Sequence, residues 1–138
     1  MVNENKITAI ILAGGKSSRM GTDKGLLDFE GNKLIQHVID NVKSSCEEIL
    51  VVSNNDGYNS LGYPVVKDRF LNRGPLGGIH AGLSITKTNW NFVIGCDMPF
   101  AEKHFIAYLL SHVSKNSSEA VYTTIAKNLR DEVARLAV

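Results

Sequence analysis

Three stretches of this sequence carry residues whose types and spacing suit phosphate chemistry. The first is Leu12-Ala-Gly-Gly-Lys-Ser-Ser-Arg-Met-Gly-Thr-Asp-Lys24, which sets Gly14 and Gly15 among Lys16, Arg19 and Lys24. Glycine lets a backbone approach a ligand closely and turn through positive φ. Successive exposed N–H groups can then cradle phosphate oxygens. Arginine adds a two-pronged fork and lysine a point charge, and both suit a polyphosphate. The run is neither a Walker A loop nor G-x-G-x-x-G. A glycine pair behind a strand can also do no more than turn the chain. The second stretch is Cys96-Asp97-Met98-Pro99, where a carboxylate follows an apolar run. Mg²⁺ takes one or two such carboxylates together with phosphate oxygens and water. An Asx-type turn or a helix cap ahead of Pro99 is the other use of Asp97. The third is Asp68 with the loop Arg73-Gly-Pro-Leu-Gly-Gly-Ile-His80. Asp68 could share a metal or meet a base or ribose, and Gly77-Gly78 could let a flat ligand lie on bare backbone. A turn followed by a helix start accounts for the same residues.

Other reactive side chains form no constellation. His37, His80, His104 and His112 show no metal-ligand spacing, although His80 could edge a pocket beside the glycine pair. Ser17 and Ser18 lack a nucleophile-elbow context. Cys46 and Cys96 stand fifty positions apart, so no C-x-x-C site exists.

These residues need elements that bring them to one place. Ile7 to Leu12, Glu48 to Val52 and Trp90 to Gly95 are short apolar runs of the kind buried on both faces of a parallel sheet. A shorter strand is expected over Tyr63-Pro64-Val65-Val66 and a further one over Val121 to Ile125. Leu34, Ile35, Val38, Ile39 and Val42 lie on one face of a helix. Helices are also expected over Ile79 to Ile85 and Glu102 to Val113, the latter with Phe105, Ile106, Leu109 and Leu110 on one face. Leu129, Val133 and Leu136 fit a final helix. Alternating strands and helices predict an α/β, three-layer sandwich with a mostly parallel sheet. In such sheets ligands bind at the carboxyl ends of the strands, where all three stretches fall.

The chain has 138 residues, enough for one domain, and 43% of them are hydrophobic. Fifteen basic against fourteen acidic residues leave a net charge of +1. That near-balance argues against nucleic acid or an anionic membrane as the partner. No apolar run nears the roughly 20 residues of a membrane span, and the polar start, Met1 to Lys6, has no signal-peptide pattern. A cytoplasmic protein is the expectation.

The run from Leu12 to Lys24 resembles the signature loop of molybdenum cofactor guanylyltransferases, L-A-G-G-x-S-x-R-M-G-x-D-K. Asp68 in Val65-Val66-Lys67-Asp68, the block Arg73 to Leu83 and Cys96-Asp-Met-Pro-Phe100 match as well, in order and spacing. The resemblance covers about residues 7 to 120. It implies a Rossmann-like nucleotidyltransferase fold, GTP as donor, Mg²⁺ as cofactor and molybdenum-bound molybdopterin as acceptor of GMP, with pyrophosphate released. Carried onto this chain, Leu12, Ala13, Gly14 and Gly15 lie along the nucleotide, joined by Gly77 and Gly78. Lys24 holds phosphates, Asp68 contacts the nucleotide and Asp97 ligates Mg²⁺. Ser53 aligns with a nucleotide-contacting Asn of the family, with Asn54 and Asn55 beside it. Arg19, Lys24 and Asp97 supply the charge that the transfer needs, with no covalent intermediate. The acceptor is already an anion, so no strong general base is required.

The other readings weighed are a nucleotidyltransferase using CTP or a sugar-phosphate acceptor, and a GTP-Mg-binding remnant without turnover. The family runs some tens of residues further, and Tyr122 to Val138 does not match its continuation. The expectation is therefore one nucleotidyltransferase-like domain over residues 1–138, complete on the nucleotide side and lacking part of the acceptor side. Proteins of the molybdenum cofactor pathway are expected partners. A shortened sheet edge points to self-association.

Overall fold

The computed structural model describes residues 6–13, 23–68 and 75–111. Four parallel strands make the central sheet: β1 (Ile7–Leu12), β4 (Glu48–Val52), β5 (Val65–Val66) and β6 (Trp90–Gly95). Their order across the sheet is β5-β4-β1-β6, with Leu12 level with both Val52 and Gly95. A small antiparallel pair, β2 (Asp28–Phe29) and β3 (Asn32–Lys33), lies apart from it. The helices are α1 (Leu34–Val42), α2 (Pro75–Leu83) and α3 (Lys103–Leu110).

The continuous apolar run of β1 has a simple cause. Side chains alternate across a strand, and both faces of this one are covered. Ile7, Ala9, Ile11 and Ala13 enter one core with Ile35, Val38, Ile39 and Val42 of α1 and Ile106 of α3. Ile10 points the other way, into a second core with Val52 and with Ala81 of α2. The result is the three-layer α/β sandwich expected from the sequence. Each fully buried Ile contributes about 1.5–3 kcal/mol, so the two faces of β1 hold the layers together.

Strands β1, β4 and β6 keep the bounds read from the sequence; the remaining elements depart in instructive ways. Glu30 and Gly31 both take positive φ (48° and 84°), closing a two-residue hairpin of the type that matches strand twist. That hairpin was not anticipated. Helix α2 begins at Pro75, four residues before the expected Ile79, because proline's fixed φ suits a first helical turn. In α3 Ile106 is buried and Leu110 packs against the core, while Phe105 on the same expected face is 41% exposed. The expected strand at Val121 to Ile125 and the final helix lie outside the described residues. No helix among the described residues is long and apolar enough to cross a membrane.

Both cysteines are buried and unbridged. Burial, helped by the charge of Glu47, pushes the Cys46 thiol from 9.0 up to about 12. The unfolded thiol therefore ionises near pH 9 while the folded one keeps its proton. Stability is whole below that pH and is lost as pH climbs toward 12, by up to about 1.4 kcal/mol per pH unit. In denaturant titrations between pH 8 and 11, Cys46→Ala is expected to show a shallower alkaline decline than the unaltered chain. Equal slopes would refute the coupling.

Candidate active site

After β1 the chain builds β4 and β5 on one side, then returns to place β6 on the other. The sheet order thus reverses between β1 and β6. Open α/β sheets bind ligands in the crevice outside such a reversal, at the carboxyl ends of the strands. Backbone bonds carry the ladder one residue past those ends and hold them level. Ala13 N donates to Val52 O at 2.9 Å, Cys96 N to Leu12 O at 3.0 Å, and Ser53 N to Val66 O at 2.9 Å.

Asp97 stands two residues beyond β6, exposed. Its Oδ1 lies 3.0 Å from the point a Cβ on Gly95 would occupy, so the carboxylate folds back over the end of the strand. The absent side chain of Gly95 makes that possible. The capping use of Asp97 fails, because α3 starts at Lys103 with Glu102 at its N-cap. Among the described residues the Asp97 carboxylate has no hydrogen-bond or ion-pair partner.

Lys24 is exposed at the start of a 3₁₀ turn, Lys24–Leu26. The turn is closed by Leu26 N to Asp23 O (3.0 Å) and Leu27 N to Lys24 O (3.1 Å). Its position is tied to the loop after β4, since Asn55 Nδ2 donates to Asp23 Oδ2 at 3.0 Å. Ser53 is 3% exposed, and its Oγ accepts from Asn55 N at 3.0 Å. Asn55 Oδ1 accepts from Gly57 N at 2.8 Å, capping the 3₁₀ turn Asp56–Leu61. Asn54 Oδ1 accepts from Asp68 N at 2.9 Å. Ser53, Asn54 and Asn55 are thus a brace joining the Lys24 turn, the end of β4 and Asp68. The resemblance offers Asn54 and Asn55 as neighbours of Ser53 and assigns Asp23 no role. Paired asparagines behind a strand are nevertheless a recognised turn-building signal.

Gly77 and Gly78 are a correction. Both lie inside α2, not in a loop. A methyl on Gly78 would sit 3.1 Å from Leu12 Cδ2 and 3.6 Å from Val52 Cγ1. Gly78 therefore lets the helix approach the ends of β1 and β4, and its bare side faces the sheet. His80 is exposed on the same helix. Leu12, Ala13, Lys24, Ser53, Asp68 and Asp97 all fall at the carboxyl ends of the strands or in the loops that leave them. Gly14, Gly15, Lys16, Ser17, Ser18, Arg19 and Arg73 lie outside the described residues.

The donors suit Mg²⁺ of a particular kind. No group of three or more His, Cys, Asp or Glu is assembled for a metal among the described residues. A carboxylate without a partner among the described residues, at the carboxyl ends of the strands, fits an ion that arrives with, and is mostly ligated by, phosphate oxygens and water.

The sequence pattern of the MobA-like NTP transferase domain matches residues 9–134. A Flavobacterium johnsoniae protein named "Probable molybdenum cofactor guanylyltransferase" is 37% identical over 120 residues, covering 87% of this chain and 62% of its own length. The "Molybdenum cofactor guanylyltransferase" of Yersinia pseudotuberculosis is 44% identical over 107 residues, covering 75% of this chain and 55% of its own. This chain therefore spans less than two thirds of the length of these relatives. Among solved structures, a nucleotidyl transferase from Methanothermobacter superposes with a TM-score of 0.68 at 19% identity, covering 78% of this chain and 58% of that one. That likeness is one of fold, and it agrees with the parallel sheet found here. On the match over residues 9–134, the chain belongs to the MobA-like NTP transferase domain family.

Proposed function

We propose that this chain binds GTP with Mg²⁺ and transfers GMP to the terminal phosphate of molybdenum-bound molybdopterin, releasing pyrophosphate. The observation that carries the reading is the Asp97 carboxylate, without a partner among the described residues, folded over Gly95 at the sheet reversal, where Gly95 stands level with the end of β1. The names of the relatives supply the donor and the acceptor.

Attack on the α-phosphorus gathers negative charge on the bridging and terminal oxygens. Lys24, held by the Asp23–Asn55 bond, brings a cation to the leaving pyrophosphate, and Arg19 adds a second. Positioned charge of this kind lowers the barrier without any bond to the enzyme. Mg²⁺ bound at Asp97 would neutralise phosphate charge and polarise the phosphoryl oxygens. The acceptor phosphate is an anion at neutral pH and attacks without a protein base. Leu12 and Ala13 border the nucleotide, and Asp68 meets it from the exit of β5.

Equilibrium binding of GTP, CTP and ATP with Mg²⁺, followed by pyrophosphate release on adding molybdenum-loaded molybdopterin, tests this. GTP is expected to bind at least about tenfold more tightly than CTP, a difference of about 1.4 kcal/mol. Preference for CTP overturns the guanylyl assignment. Tight GTP binding without pyrophosphate overturns the transfer.

A further inference from the structure

We propose that Tyr58 is a positioning residue, the shared ledge on which the peptides carrying Lys24 and Asp97 are seated. This rests on the reading that those two residues serve the nucleotide. Tyr58 is completely buried, and its hydroxyl lies against Cys96 and the backbone of Gly25. It lies under Gly25, the residue after Lys24. A methyl at Gly25 would come within 2.7 Å of Tyr58 Oη, 3.0 Å of Cys96 Sγ and 3.1 Å of Cys96 Cβ. Cys96 immediately precedes Asp97. The tip of one tyrosine thus stands beneath both segments at once.

The ledge is itself anchored. Tyr58 belongs to the 3₁₀ turn Asp56–Leu61, capped by Asn55, and Asn55 also holds Asp23. Asp23, Asn55, Tyr58 and Gly25 therefore close a ring around the backbone of Lys24. The hydroxyl stands between Gly25 and Cys96, where phenylalanine would leave both peptides without that support. Its place is explained by the fit against Gly25 and Cys96. Burial, with Cys96 and Asp23 nearby, pushes its pKa far above the ordinary tyrosine range. The ledge is neutral at every pH where the protein works.

The test uses the full chain with Gly25→Ala, Tyr58→Phe and the double variant. Amide exchange at Leu26 and Leu27, whose N–H groups close the Lys24 turn, is read without nucleotide, GTP binding is read with Mg²⁺, and melting temperature is read throughout. Gly25→Ala is expected to speed the exchange and weaken GTP binding by about tenfold each, since small displacements of a positioned group are costly. Adding Tyr58→Phe removes the atom nearest the new methyl. It is expected to restore about threefold of both losses, the mark of direct coupling. Tyr58→Phe alone keeps the melting temperature and loosens the Leu26 and Leu27 amides. No rescue, together with no change in Tyr58→Phe alone, overturns the proposal. If Gly25→Ala does not fold, Tyr58→Phe alone decides through its exchange and affinity. If the unaltered chain binds no GTP, the nucleotide reading fails, and the exchange rescue still decides whether the ledge exists.

Discussion

Asp97→Asn is expected to abolish the Mg²⁺ dependence of nucleotide binding and to cut turnover by about 10²–10³-fold, the scale of losing one positioned charge partner. The substitution keeps size and shape and removes one negative charge. The carboxylate makes no hydrogen bond or ion pair with the described residues, so the fold has nothing to lose. Surface changes of that kind alter stability by no more than about 0.5 kcal/mol. Affinity for GTP measured with and without Mg²⁺, alongside a melting curve, separates the outcomes. Binding that keeps its metal dependence removes Asp97 from the site. A large fall in melting temperature instead reveals a structural duty that the geometry does not show.

Gly82→Val is expected to destabilise the chain by about 3 kcal/mol, from overpacking together with the stiffness of a β-branched residue in a helix. A methyl at Gly82 would lie 2.8 Å from Ile10 Cγ2 and 3.1 Å from its Cδ1. Ile10 is fully buried in the middle of the sheet and cannot step aside. For a chain of this size that cost lowers the melting temperature by about 10 °C. Gly78→Ala is the control. The nearest atom to its new methyl is Leu12 Cδ2, at 3.1 Å, the far end of a half-buried side chain that can shift. Alanine also regains about 1 kcal/mol of helix propensity over glycine. Near-neutral stability and unchanged GTP affinity are therefore expected for Gly78→Ala. Lost GTP affinity at unchanged stability would show that bare backbone at Gly78 does face the ligand.

The glycines mark where reading the sequence stops working. Gly77-Gly78 looks like a loop that offers backbone to a flat ligand, and the preceding Arg73-Gly-Pro strengthens that impression. Pro75 instead opens a helix, and Gly78 faces the sheet. Nothing local distinguishes a glycine that meets a ligand from one that meets a strand, because the neighbours, Leu12 and Val52, arrive from distant parts of the chain. The same holds for Ser53, Asn54 and Asn55. Their types announce a turn, yet their partners, Asp23 and Asp68, are set by which loops the sheet brings together.

What the amino-acid order determined alone was the alternation of strand and helix, three of the four main strands to the residue, the apolar face of α1, and the family. Those depend on periodicity, β-branched runs and short motifs, all of which act within a few residues. The strand order β5-β4-β1-β6 with its reversal, the carboxylate of Asp97 folded over Gly95, and the tyrosine beneath Gly25 were decided only by tertiary structure. Each of these is a contact between segments distant in sequence, and packing selects such contacts through the shape and volume of every layer at once.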